Sequence, residues 1–211
     1  MTSVSILCTD PGHPINPHLE RWAKSYAGRA KISLLRDFRE LQAGDFLFLV
    51  SCHQIIKMSV RQLFQYTLVL HASALPQGRG MSPHVWQILN GSNRLMVTLL
   101  NAEDLLDSGD IWHQEEIVFD GTELYNEINA RLFEAELSLM TWALDHCDSS
   151  HPRAQHGEPS FFRRRVPADS RIDPSSSLCE SFDLLRIADP ERYPAFFEYR
   201  QQKYRIRIDK M

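Results

Sequence analysis

His71-Ala-Ser73-Ala-Leu75-Pro76-Gln77-Gly78-Arg79-Gly80-Met81-Ser82-Pro83-His84-Val85-Trp86 decides how this chain folds. The run that leads into it, Tyr66–His71 (YTLVLH), is apolar with no regular alternation, and so is Asp45–Ser51 (DFLFLVS) before it. Short unbroken apolar runs of this kind belong to parallel strands covered on both faces. After His71 comes a Pro/Gly loop. Ser82-Pro83 then starts a helix, with serine at the cap and proline at the first helical position. Strands interleaved with helices give an α/β fold with a mainly parallel sheet and helices on both faces. In such sheets the site lies beyond the carboxyl ends of the strands, and His71 stands at one.

Working outward, Ser3–Thr9 and Lys31–Leu35 read as strands, and His18–Tyr26 as a helix. Leu95–Leu100 and Ile111–Val118 read as further strands. Gly121–Asp145 reads as a long amphipathic helix, with Leu124, Ile128, Leu132, Ala135, Leu139 and Trp142 on one stripe. Asp148–Pro159 is polar, contains Pro and Gly, and reads as a linker. In the tail, Ser177 and Glu180 suit a capping box for a short helix through Leu185. Phe196–Tyr199 and Tyr204–Ile208 suit a hairpin. The expected organisation is a domain over residues 1–147, a linker over 148–160 and a helix-plus-hairpin extension over 161–211.

The bulk properties exclude several classes. No apolar run is long enough to cross a membrane, and the N-terminus lacks the basic and apolar regions of a signal peptide, so a cytoplasmic protein is expected. The four cysteines form no CxxC pair, which leaves no zinc or redox motif and no metal site. A formal net charge of −4 is a poor footprint for nucleic acid.

The His-x-Ser-x-Leu-Pro segment and Gly/Arg loop are followed by Leu106-Asp107-Ser108-Gly109-Asp110. Together they resemble the folate-dependent formyltransferases. The resemblance implies a Rossmann-like sheet and N10-formyltetrahydrofolate as co-substrate. It implies His71 and Asp107 as the catalytic pair. A histidine can serve as base or, protonated, as an oxyanion donor, and protonated His71 is the expected oxyanion donor here. The family carries Asn two residues before this His; this chain has Val69, which donates nothing. The resemblance also implies that the folate contacts two loops. Ser51, Cys52, His53 and Ile55 lie on one, and Asn101, Ala102 and Asp107 on the other.

Free N–H groups around Gly78–Gly80, the Ser82 helix start and Arg79 suit an anion. Ser73, Arg79, Gly80, Ser82 and His84 are therefore candidate substrate contacts. The tail motif Arg165-Val-Pro167-Ala-Asp169-Ser170-Arg-Ile-Asp173 is similar to the end of sugar N-formyltransferases, and adds Arg164 and Arg165. The whole pattern looks most like the subgroup of pseudaminic-acid-type pathways in cell-surface glycan biosynthesis. That likeness implies a UDP-linked 4-amino-4,6-dideoxy sugar as acceptor. The likeness spans Gly44–Leu144 and Phe161–Ile208. The chain stops at Met211 without a basic tail, so tRNA is not the expected acceptor. A formyltetrahydrofolate hydrolase and a non-catalytic folate or nucleotide-sugar binding module fit the same residues. The aromatics Phe196 and Phe197 are a candidate homodimer surface. The His13-Pro14-Ile15-Asn16-Pro17 loop reads as a proline-rich turn in preference to a loop that closes over the nucleotide.

Overall fold

The computed structural model describes residues 1–211. Its elements in chain order are β1 (Thr2–Leu7), α1 (Asn16–Ser25), β2 (Ala30–Leu35), β3 (Gly44–Leu49), α2 (Met58–Arg61), β4 (Phe64–His71), β5 (Arg79–Gly80), α3 (Pro83–Leu89), β6 (Arg94–Asn101) and β7 (Ile111–Val118), then α4 (Tyr125–His146), β8 (Phe161–Phe162), α5 (Leu178–Ile187), β9 (Ala195–Tyr199) and β10 (Gln202–Ile206). The main sheet has six strands in the order β2-β1-β3-β4-β6-β7. The strands from β2 to β4 are parallel. β6 runs against both β4 and β7. The fold is thus α/β with a mainly parallel sheet, as the unbroken apolar runs require.

Those runs are unbroken because both faces of the sheet are covered. Val4, Ile6, Phe46, Phe48, Leu68 and Leu70 alternate onto one face, beneath Leu19 and Trp22 of α1 and Ile128, Leu132 and Leu139 of α4. Leu7, Leu47, Leu49 and Phe64 fill the other face with Ile56. Each fully buried side chain of this size contributes about 1.5–3 kcal/mol, so the frame behind the strand ends is rigid.

Helix α4 starts later than the apolar stripe suggests. Glu123 accepts the backbone N–H groups of Asp120 and Gly121 at 3.0 and 3.1 Å, and Glu127 accepts that of Leu124 at 2.8 Å. These carboxyls close a turn before the helix, and Gly121 has a φ of +93°. The capping box of α5 forms as expected: Glu180 N–H donates to Ser177 Oγ at 3.1 Å, and Ser177 N–H donates to Glu180 Oε2 at 2.8 Å. The hairpin β9–β10 is antiparallel. Phe196 and Phe197 are half-buried rather than exposed, and Phe197 stacks on Tyr204 with ring centroids 5.2 Å apart.

Residues 148–160 have no helix, yet they are firmly tied. Ile111 and Arg153 exchange both backbone hydrogen bonds at 2.7 and 2.8 Å. Gln155 Nε2 donates to the carbonyls of Asp107 and Gly109 at 2.9 and 2.8 Å. The strap then leads into β8, which pairs in parallel with β5. Gly80 makes that pairing possible. It has a φ of +105°, and a Cβ there would lie 2.3 Å from the Phe162 carbonyl oxygen. Gly80→Ala is expected to cost about 2–3 kcal/mol, read from the urea midpoint. An unchanged midpoint would show that β5 and β8 part without cost.

Candidate active site

Beyond the carboxyl ends of β3 and β4, and against the loop that follows β6, lies a cavity of about 320 Å³, within the usual size of small-molecule sites. Of the residues singled out in the sequence, Ser51, Cys52, His53 and Ile55 line one side, and Asn101, Ala102 and Asp107 line another. His71, Gly80, Ser82 and His84 also face it, as do Arg164 and Arg165 from the tail. Ser73 and Arg79 do not line it. Ser73 is 1% exposed, behind the site, and its carbonyl accepts from Thr98 Oγ1 at 2.7 Å.

His71 is buried, and its proton positions follow from its partners. A carbonyl only accepts, so the Gly78 oxygen 2.8 Å from Nε2 receives an Nε2–H. Nδ1 lies 3.5 Å from Asp107 Oδ2. This spacing suits charge pairing better than a hydrogen bond. Asp107 is itself held in place: Oδ2 accepts the Gly80 N–H at 2.9 Å, and its backbone has a φ of +51°. The turn that carries it closes tightly, because any Cβ on Gly109 would lie 2.0 Å from the Asn101 carbonyl oxygen.

The Gly/Arg loop is not the anion cradle expected from its sequence. The Gly78 N–H donates to Ser160 Oγ, and the Gly80 N–H to Asp107. Those of Arg79 and Met81 donate to the carbonyls of Ser160 and Phe162. Every backbone N–H from Gly78 to Met81 is taken. Arg79 turns away and donates from Nη2 to Gln155 Oε1 at 2.6 Å, bracing the strap that holds the Asp107 turn. Ser82 occupies the cap position of α3, but in the left-handed region, with a φ of +49° and no side-chain capping bond. The cations that do line the cavity are Arg164, Arg165 and Arg192. Arg165 donates to Ser170 Oγ at 3.0 Å, and Arg192 pairs with Asp10 at 2.6 Å.

Lining residues that were not among the candidate site residues are His13, on the loop favoured as a turn, and Tyr125, Asn129, Glu136 and Asp189. Tyr125 donates its hydroxyl to Asp189 Oδ2 at 2.8 Å. Burial, assisted by Asp189, keeps that phenol protonated. Burial, then the nearby Arg192, holds His13 down to about 4. His84 is likewise held at about 4, by burial first and then by His13, Arg165 and His71. Glu136 is 7% exposed, its Oε2 has no hydrogen-bond partner, and burial raises its carboxyl to about 8. This part of the cavity therefore offers mainly uncharged hydrogen-bonding groups. A histidine or glutamate on a helix or turn is ordinary in sequence, so only the fold could bring these together.

Opposite, the loops of residues 51–56 and 101–107 are braced by Arg61. Its side chain is 5% exposed, and Nη1 donates to the Ile56 carbonyl and to Asp104 Oδ1, both at 2.8 Å. Ile55 and Leu106 stay 70% and 50% exposed while lining the cavity. Two apolar side chains on a braced rim suit a flat aromatic ligand.

Residues 18–144 match the model of the formyl transferase family, and the chain belongs to that family. It is 26% identical over 162 residues to a methionyl-tRNA formyltransferase from Fusobacterium nucleatum, covering 75% of this chain and 52% of that protein. The chain thus spans about half the length of the curated relatives it matches. Among solved structures it superposes on a methionyl-tRNA formyltransferase from Clostridium thermocellum with a TM-score of 0.84, at 22% identity, over 100% of this chain and 94% of that one. A sugar N-formyltransferase from a Shewanella species gives a TM-score of 0.76 at 15% identity, over 100% and 98%. At these identities the structural likenesses establish the fold. No helix is long and apolar enough to cross a membrane.

Proposed function

We propose that this protein transfers a formyl group from N10-formyltetrahydrofolate to the amine of a nucleotide-linked amino-deoxy sugar. The observation that carries the reading is His71. With Nε2–H fixed on Gly78, the neutral ring keeps its lone pair on Nδ1, near Asp107, and both residues line the cavity. The folate, between the 51–56 and 101–107 loops, supplies the activated formyl carbon. His71 Nδ1 takes the proton that the attacking amine loses as the new C–N bond forms. Asp107 offsets the charge this places on the ring. His71 then returns the proton to the folate nitrogen as its bond to the formyl carbon breaks. One C–N bond is made and one broken, and one proton passes between the two nitrogens.

The acceptor reading rests on the other half of the cavity. His84, Tyr125 and Asn129 present uncharged groups suited to sugar hydroxyls, while Arg164, Arg165 and Arg192 suit a diphosphate. The UDP-linked 4-amino-4,6-dideoxy form is favoured by the sequence resemblance alone. The net charge of −4 gives tRNA no comparable surface.

The test is turnover of N10-formyltetrahydrofolate with UDP-, dTDP- and CMP-linked amino sugars and with methionyl-tRNA. A sugar product heavier by one formyl in place of one hydrogen is expected. It is expected to fall at least about 100-fold in Asp107→Ala. Formate released without any acceptor would replace this reading with a hydrolase. Formylated methionyl-tRNA would replace the sugar.

A further inference from the structure

The loop from Asp10 to Asn16 plays no part in formyl transfer as described so far, yet it is held from several directions. Asn16 is buried. Its Nδ2 donates to the carbonyls of Asp10 and Pro11 at 3.1 and 2.9 Å, and its Oδ1 accepts from Arg36 Nη1 at 2.6 Å. Arg192 clamps Asp10 from the tail. The side chain that this loop presents to the cavity is His13, which lies against Phe133 with ring centroids 6.0 Å apart.

The neighbours of His13 fix where its proton sits. The Ile15 N–H can only donate, and it lies 3.3 Å from Nδ1, so Nδ1 carries the lone pair. Burial keeps the ring uncharged near neutral pH. Its one N–H is therefore on Nε2, which donates to Ser51 Oγ at 3.1 Å. Ser51 is thereby an acceptor toward His13, and its own hydroxyl proton is free to donate elsewhere. Ser51 lines the cavity.

Ser51 also faces the same cavity as the reacting groups. It follows the end of β3 by two residues, while His71 ends the neighbouring parallel strand β4, and both line the cavity. Ser51 takes up this position with a φ of +47°, a conformation non-glycine residues rarely adopt. Such strain persists where the surroundings impose it and clusters at functional sites.

We propose that the Ser51 hydroxyl donates a hydrogen bond to the formyl oxygen as that oxygen gains negative charge. It is then the catalytic donor that Val69 cannot be, and His13 is the positioning residue that sets the direction of the bond. This rests on the folate-dependent reading above. His71 Nε2–H is committed to Gly78, which leaves a donor to be found elsewhere. No covalent bond is made to Ser51, and its proton stays on Oγ throughout.

The test uses a hydrolytically stable dideaza analogue of formyl-folate with a carbon-13 label in the formyl carbonyl. Infrared difference spectra are taken on wild type, Ser51→Gly and His13→Phe. Glycine suits the positive φ, so Ser51→Gly removes the hydroxyl without threatening the fold. In wild type the bound carbonyl band is expected to move to lower frequency. The movement should be smaller in both variants, and their double mutant should match Ser51→Gly alone. Nitrogen-15 spectra of the ligand-free protein should show His13 protonated on Nε2. With a turnover assay in hand, kcat should fall about 100-fold in Ser51→Gly while KM for the folate stays within a few-fold. An analogue that binds with the same carbonyl band in wild type and Ser51→Gly overturns the proposal and leaves formyl transfer standing. An analogue that does not bind wild type at all overturns both.

Discussion

His71→Ala is expected to lower formyl transfer by about 10³-fold or more, with binding of a formyl-folate analogue kept within a few-fold. Two effects combine. Removing a positioned general base typically costs about 10²–10⁴ in rate. The Asp107 carboxyl, deprived of the ring 3.5 Å away, also loses the charge it would offset. The loops of residues 51–56 and 101–107, proposed to hold the folate, are braced separately through Arg61 and do not depend on the imidazole. Alanine also strips the Gly78 carbonyl of its donor, which is expected to cost about 1–2 kcal/mol of stability. His71→Gln guards against misreading that loss, because its amide can still donate to Gly78 but cannot take a proton. Both variants should be inactive, and the glutamine variant should melt closer to wild type. Substantial turnover in either would remove His71 from the proton path and leave the carboxyl of Asp107 as the base to test.

The frame of this molecule was legible because it depends on local pattern. DFLFLVS and YTLVLH are unbroken apolar runs, and a strand buried on both faces allows little else. Ile111–Val118 appears with the bounds read from the sequence. The Ser177/Glu180 box is a contact between residues three apart, so sequence alone contains it. The site was legible only in part. His71, Asp107 and the candidate residues of the 51–56 and 101–107 loops line one cavity. The Gly/Arg loop misled because its open amides are closed by Ser160, Phe162 and Asp107, residues far along the chain. Arg79 misled for the same reason, since Gln155 of the supposed linker takes its guanidinium. Helix α4 was placed early because the apolar stripe was followed back to Leu124 and Gly121, whereas Glu123 and Glu127 close a turn over those residues before the helix begins. Two-residue strands such as β5 and β8 carry no periodicity at all.

The uncharged half of the cavity was hidden for a different reason. Histidine, tyrosine and glutamate are assigned their ordinary protonation states when read from sequence. Only burial shows that His13 and His84 stay neutral and that Glu136 holds its proton. The cations that line the cavity all come from the tail, Arg164, Arg165 and Arg192, while the carboxylates Glu103, Asp104, Asp107 and Asp189 line it as well. Tail cations beside uncharged histidines and a protonated glutamate suit an acceptor that is neutral at its reacting end and anionic at the other, and the neutrality follows from desolvation rather than from any motif.

Glu136 supplies the largest expected effect on stability. Its carboxyl rises from the ordinary 4.5 to about 8, so the folded state holds the proton more tightly than the unfolded chain. A raised acid makes its most favourable contribution below its unfolded pKa. Stability then declines as pH climbs from about 4.5 toward 8 and levels off above it. The accumulated cost has an upper bound of about 5 kcal/mol. Glu136→Leu removes it, so the variant should gain on wild type as pH rises, with the gap widening by several kcal/mol between pH 5 and pH 8. His13 and His84 act in the other direction. Their lowered pKa values give stability that is complete above about 6.5 and lost as pH falls toward 4. Both histidines are present in wild type and variant alike, so their contribution cancels in the difference. Urea midpoints for the two proteins at pH 5, 6.5 and 8 provide the measurement. A gap that does not change across this range would mean that the Glu136 carboxyl is ionised and partnered in the folded protein. The cavity would then carry a buried negative charge, and its acceptor would need a cation to meet it.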